Sequence, residues 1–165
     1  MPAHGAPIVA SLDRLHRWAL AQPPLFAATP VIRLLLAFAF IPPGLGKVVG
    51  NRFTTLGVDT EVGYFFDAFF QASLYYGFVG AAQVTAAILL VIPRTSLMGA
   101  VLYFPIIVNI AFITNALPFG NTAIITNLMV LANLYLLCWD HDRLRGMLFP
   151  RANALPADHR AVLDA

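Results

Sequence analysis

Thr95 to Trp139 reads TSLMGAVLYFPIIVNIAFITNALPFGNTAIITNLMVLANLYLLCW, 45 residues without one Asp, Glu, Lys, Arg or His. A helix of about 20 residues spans a ~30 Å hydrocarbon core, so this run is too long for one crossing. Pro118-Phe119-Gly120-Asn121 is the turn-forming break within it. The reading is a third span over Thr95–Leu117 and a fourth over Thr122–Trp139, leaving the membrane at Trp139-Asp140-His141-Asp142-Arg143.

Working back from that pair, Leu74–Ile92 is a second uncharged run. It opens on Tyr75-Tyr76, as an interfacial aromatic belt would, and stops at Pro93-Arg94. Gly77/Ala81 and Ala82/Ala86 are small-xxx-small pairs that permit close helix contact. Before it, Thr29-Pro30 offers a cap and first-turn proline for a helix over Val31–Gly50. Arg33 and Lys47 stand near its opposite ends, where long stems can snorkel. Pro42-Pro43-Gly44 in its middle predicts a kink or a break.

The remaining segments are shorter. Asn51–Ser73 is the one substantial connection. Within it Val62, Phe65, Phe66, Phe69 and Phe70 recur at helical spacing, with Gly63, Asp67 and Gln71 opposite. An amphipathic helix over 61–72 is expected, lying at the interface or over the bundle mouth. Residues 1–28 read as a basic amphipathic leader, with a surface helix over Ser11–Leu20 and no cleavable signal pattern. Residues 150–165 read as a polar tail. The expected fold is all-α: one integral membrane four-helix bundle over 29–149, with the leader helix and the short outward helix attached.

Composition agrees. The chain is 59% hydrophobic and 11% charged, with mean hydropathy +0.76. A soluble domain carries about 25% charged residues, so a disordered chain and an ordinary cytosolic enzyme are both excluded. The net charge of +2 comes from a few basic residues at segment edges. It points to the lipid bilayer as partner and not to nucleic acid. Eight Lys/Arg fall on the side of the termini (Arg14, Arg17, Arg33, Arg94, Arg143, Arg145, Arg151, Arg160) and two on the other (Lys47, Arg52). By the positive-inside rule both termini are cytoplasmic.

Chemistry-bearing residues are sparse. Cys138 is the single cysteine, and His4, His16, His141 and His159 all lie outside the spans. No haem ligand pair, zinc spacing, thiol pair or nucleophile–base set can be assembled, so no catalytic residue, metal or cofactor is assigned. The polar residues inside the spans are Gln83, Asn109, Asn115, Asn127 and Asn133, with Lys47 at a span end. Asn109–Asn115 and Asn127–Asn133 are each six residues apart, which sets the two amides of a helix about 120° apart. Such amides serve either as interhelical glue or as the wall of a polar pocket. Gln83 and Asn109 share a depth of about 12–13 Å from one membrane face, and a direct or single-water contact between them is expected.

Arg33-Leu-Leu-Leu-Ala-Phe-Ala-Phe-Ile-Pro-Pro-Gly-Leu-Gly-Lys47 resembles the opening helix of the DoxX/DoxD-like family, with its Gly-x-x-Lys element at Gly44 and Lys47. Gly80-Ala-Ala-Gln83, Leu89-Leu90-Val-Ile-Pro93-Arg94-Thr95 with Gly99, the Asn109 helix, and Leu136-Leu137-Cys-Trp139-Asp140 extend the resemblance over about residues 31–149. It implies a four-helix inner-membrane protein. Some relatives belong to membrane oxidoreductase systems, including a small subunit of thiosulfate:quinone oxidoreductase. Many carry Glu where this chain has Gln83, so the one buried carboxylate of the pattern is absent. The resulting reading is a non-enzymatic multi-pass protein, either an accessory or assembly subunit of a larger membrane complex or a binder of a lipid-like molecule. The alternative is a quinone-interacting subunit of a membrane oxidoreductase.

Overall fold

The computed structural model describes residues 23–148. The leader helix expected over Ser11–Leu20 and the tail over 150–165 lie outside them. In chain order the elements are α1 (Pro23–Val49), α2 (Glu61–Gln71), α3 (Ser73–Val91), α4 (Ser96–Ala116), α5 (Thr122–Trp139) and α6 (His141–Leu148). Four of them, α1 from Ala27, α3, α4 and α5, are long and apolar enough to cross a membrane. The chain is a multi-pass membrane protein built as a four-helix bundle.

The exposed and buried faces are inverted relative to a soluble bundle. Leu35, Phe38, Leu74, Phe78, Phe112 and Leu131 point outward, while Gln83, Asn133, Thr114 and Thr126 are buried. In hydrocarbon an outward apolar side chain costs nothing, and a polar one needs an internal partner. The interior therefore collects the polar groups around a small apolar centre of Leu36, Phe40, Leu90, Ile107 and Leu136.

Around the bundle, α1 packs most closely on α3, α3 on α4 and α4 on α5, with a sparser seam between α5 and α1. The approach of α1 to α3 is made between glycines. A Cβ on Gly80 would lie 2.6 Å from Lys47 Cβ and 2.7 Å from the Gly44 carbonyl oxygen. A Cβ on Gly44 would lie 3.1 Å from the Gly80 carbonyl oxygen. Only a hydrogen at both positions lets the two backbones meet. The small-residue pair expected at Gly77/Ala81 does not mediate this contact. A Cβ on Gly77 would meet nothing within 4 Å, and Ala81 is exposed.

For α1 the expected start is corrected, and of the kink or break expected at Pro42-Pro43-Gly44 the break is not found. The helix begins at Pro23, so Thr29-Pro30 lies inside it. Prolines at 23 and 24 fit the first turn, where an N–H has no intrahelical partner in any case. The helix also continues through Pro42-Pro43 to Val49 without a break. The missing N–H groups leave the Phe38 and Ala39 carbonyls without their usual donors four residues on. Transmembrane helices tolerate such losses where neighbours pack around them.

The seam between α1 and α5 is fastened at the end of the bundle where the chain termini emerge. Arg33 Nη2 donates to Asp140 Oδ2 at 3.0 Å, and the Thr29 and Tyr135 hydroxyls are 3.1 Å apart. Arg33 thus does not snorkel to solvent: its side chain is 18% exposed and sits against a carboxylate that is 13% exposed. At the opposite end, which carries the 50–72 connection, the space between the spans is roofed by α2.

Candidate functional site

Helix α2 starts at a Thr60 cap, whose Oγ1 accepts from the Gly63 N–H at 3.0 Å. It lies over the bundle mouth, one of the two positions that its periodicity allowed. Phe66 is the centre of an aromatic roof: Phe53 stacks on it at 4.6 Å and Phe119 meets it edge-on at 5.5 Å. Phe70 packs against Tyr76 at 5.4 Å. One detail differs from the helical-wheel reading. Gly63 is buried rather than on the wet face. Asp67 is tied to Arg52 by an ion pair and to Gln71 by a 2.6 Å hydrogen bond.

Beneath this roof lies a cavity of about 560 Å³. All four spans contribute to it: Ala39, Phe40 and Pro43 from α1, Val79 from α3, Ile107 to Thr114 from α4, and Thr122 to Met129 from α5. These residues occupy the half of each span nearest the α2 roof. The floor is made where Phe40 stacks on Tyr103 at 3.6 Å between ring centroids. Tyr103 Oη there donates to the Leu36 carbonyl at 3.1 Å and ties α4 to α1.

Three of the polar residues expected to matter line this cavity: Lys47, Gln83 and Asn109. Gln83 is 1% exposed, and its Oε1 has no hydrogen-bond partner among the described residues. Asn109 is exposed on the cavity's α4 side. No hydrogen bond joins the two, so the expected direct pairing is not made. Both line the one cavity, Gln83 from α3 and Asn109 from α4.

Lys47 is 6% exposed and is not a snorkelling end residue. Its Nζ donates to the Pro43 carbonyl at 3.2 Å and lies 4.9 Å from the Phe53 ring and 5.9 Å from the Tyr76 ring. Tyr76 is held in place by donating its hydroxyl to the Asn51 carbonyl at 2.7 Å. No carboxylate among the described residues forms an ion pair with Lys47. A second, smaller cavity of about 290 Å³ is also lined by Lys47, together with Asn51, Arg52 and Tyr76. Lys47, Pro43 and Phe53 are shared by both cavities.

The other three amides bind α4 to α5. Asn115 and Asn127 exchange two hydrogen bonds, at 3.1 and 3.2 Å. Beside them the Thr114 and Thr126 hydroxyls are 2.7 Å apart. Asn133 is fully buried and donates Nδ2 to the Ala100 carbonyl at 3.1 Å. Both amides of α5 therefore serve the same neighbour, although their 120° separation left room for two. The sequence signal for the first contact was a repeated Thr-Asn dipeptide, at 114–115 and 126–127. For Tyr103 the signal was a single hydroxyl in the middle of an apolar span.

What the arrangement offers chemically is an apolar space with a cation and a two-way amide on its wall. Among the described residues no group of His, Cys, Asp and Glu is placed to hold a metal ion. Compared with known proteins, the chain matches no family model and no solved structure. Over an alignment of 137 positions that covers 79% of this chain and 86% of the relative, it is 39% identical to a Bacillus subtilis protein named as uncharacterized protein YwoB. At that identity and coverage, the chain belongs to the family of this Bacillus protein.

Proposed function

We propose that this is a DoxX-like protein of the bacterial inner membrane that binds a lipid-like molecule in the cavity beneath α2. The observation that carries the proposal is Gln83: a fully buried amide, its oxygen unpartnered, on the wall of a 560 Å³ apolar space. Ligand sites are typically apolar cavities of about 300–1,000 Å³ with a few polar groups that fix orientation. An unmatched buried amide is costly, and a ligand hydrogen bond to Gln83 offsets that cost. The eight-to-two distribution of Lys and Arg supports cytoplasmic termini, which places the roofed end of the bundle outward.

A quinone is the second reading, favoured by the aromatic surroundings of Phe40, Phe53 and Phe66. An amide can donate to a quinone carbonyl or accept from a quinol hydroxyl without changing charge. In that case the protein serves a membrane oxidoreductase as its quinone-interacting subunit. A role as accessory subunit of a larger complex is compatible with either ligand.

Native mass spectrometry of the protein extracted in mild detergent tests this. A small apolar molecule should co-purify near one per chain, and its mass distinguishes a lipid from a prenylated quinone. Ala39→Trp, which puts an indole into the cavity, should weaken its retention while the bundle stays folded. Wild-type protein with no retained molecule, and no uptake of added lipid or quinone, would sink the proposal.

A further inference from the structure

We infer that the cavity's ligand is an acid: an apolar chain ending in an anionic oxygen headgroup, with Lys47 as the anchor for that head. The inference rests on the cavity-binding reading above and specifies the ligand's chemistry. Lys47 is 6% exposed, within a span, and surrounded by a backbone carbonyl and two aromatic rings. Carbonyl and ring faces orient an ammonium but carry no net negative charge. A buried cation is tolerated where it is paired, and charged side chains within spans mark binding paths for that reason. The neighbouring cation, Arg52, already has its carboxylate in Asp67. Lys47 has none among the described residues.

The position of the ammonium completes the argument. Lys47 lines both the large apolar cavity and the small cavity that Arg52 and Asn51 also line. A molecule whose chain lies along Phe40 and Ile107 would bring its end to Lys47 where the two spaces adjoin. An acid head there supplies the missing counter-charge through charge-assisted hydrogen bonds, which are about twice as strong as neutral ones. An alcohol of the same length leaves the ammonium unpaired. Carboxylate and phosphate heads share this chemistry toward Lys47, and of the two only a singly protonated phosphate also keeps an O–H that can donate to Gln83 Oε1.

The test uses the full chain in nanodiscs of phosphatidylcholine, with binding to empty discs subtracted. Radiolabelled hexadecanoic acid is displaced by unlabelled hexadecanoic acid, hexadecyl phosphate or hexadecanol. The acids should compete at concentrations about tenfold or more below the alcohol, the equivalent of at least one strong charged contact. Lys47→Met should remove that preference by weakening the acids alone, and Lys47→Arg should keep it. Equal competition by acid and alcohol in the wild type overturns the acid assignment and leaves the cavity reading standing. This comparison needs no variant, so poor folding of Lys47→Met does not rescue the idea. Displacement unaffected by Ala39→Trp, or no binding at all, overturns the cavity reading and the acid assignment with it. Whichever acid competes better identifies the headgroup.

Discussion

Asn115 and Asn127 bond each other twice: each amide nitrogen donates to the other's oxygen across the α4–α5 contact. Both residues are exposed on the bundle surface, yet neither presents an unmatched amide to its surroundings. Membrane interhelical hydrogen bonds of this kind are worth about 0.6–2 kcal/mol. Asn115→Leu and Asn127→Leu should each destabilise the bundle, and the double variant should cost less than their sum. Unfolding in mixed micelles measures this directly. Strictly additive losses would show that the pair contributes nothing as a pair.

Gly44 and Gly80 mark a contact that has no room for a methyl group. Gly80→Val should push α3 from α1 and cost about 1–3 kcal/mol, the usual range for overpacking. Gly77→Ala is the matching control, because a Cβ there meets nothing within 4 Å. It should be neutral or stabilise by up to about 1 kcal/mol through helix propensity. The opposite ranking in a thermal scan would misplace the α1–α3 interface.

Arg33 and Asp140 are mostly buried partners, so removing one leaves the other uncompensated. Asp140→Ala should cost about 3–5 kcal/mol, whereas Arg33→Met combined with Asp140→Leu should restore much of that loss. The readout is detergent-resistant folded fraction against temperature. A double variant as unstable as Asp140→Ala would mean that α1 and α5 are held by something other than this ion pair.

Topology can be checked without any ligand. In a Cys138→Ala background, a cysteine at 57 should react with a membrane-impermeant maleimide added outside intact cells. A cysteine at 94 should react only after the membrane is opened. Labelling of both from one side contradicts four spans, and the reverse pattern contradicts the orientation inferred from the basic residues.

The spans were legible because the bilayer imposes a length and excludes charge. Thr95–Trp139 could only be two helices, and the structure sets them at Ser96–Ala116 and Thr122–Trp139. The site was half legible. Depth follows from counting 1.5 Å per residue, and Gln83 and Asn109, which that count sets level, line one cavity. Direction around the helix did not follow, because α4 is apolar on every side and its periodicity points nowhere. Lys47 and Arg33 were misread for a different reason. Near a span's end, a long basic side chain can reach water or turn inward to a partner, and its own sequence neighbours are the same in both cases. Asp140, Phe53 and Tyr76 decide between them, and all three lie elsewhere in the chain.

The Arg33–Asp140 contact joins residues 107 positions apart. Chains emerge from the ribosome at about 5–20 residues per second, so Arg33 precedes its carboxylate by roughly 5–20 s. During that interval the guanidinium stands at one end of the first span as an uncompensated positive charge. That is the state in which basic residues bias which way a new helix enters the bilayer. Once Asp140 arrives, the same charge is neutralised and the circle of helices closes. One side chain can thus act as an orienting signal early in synthesis and as a latch at the end of it, and a chain cut short before Asp140 would be inserted but unsealed.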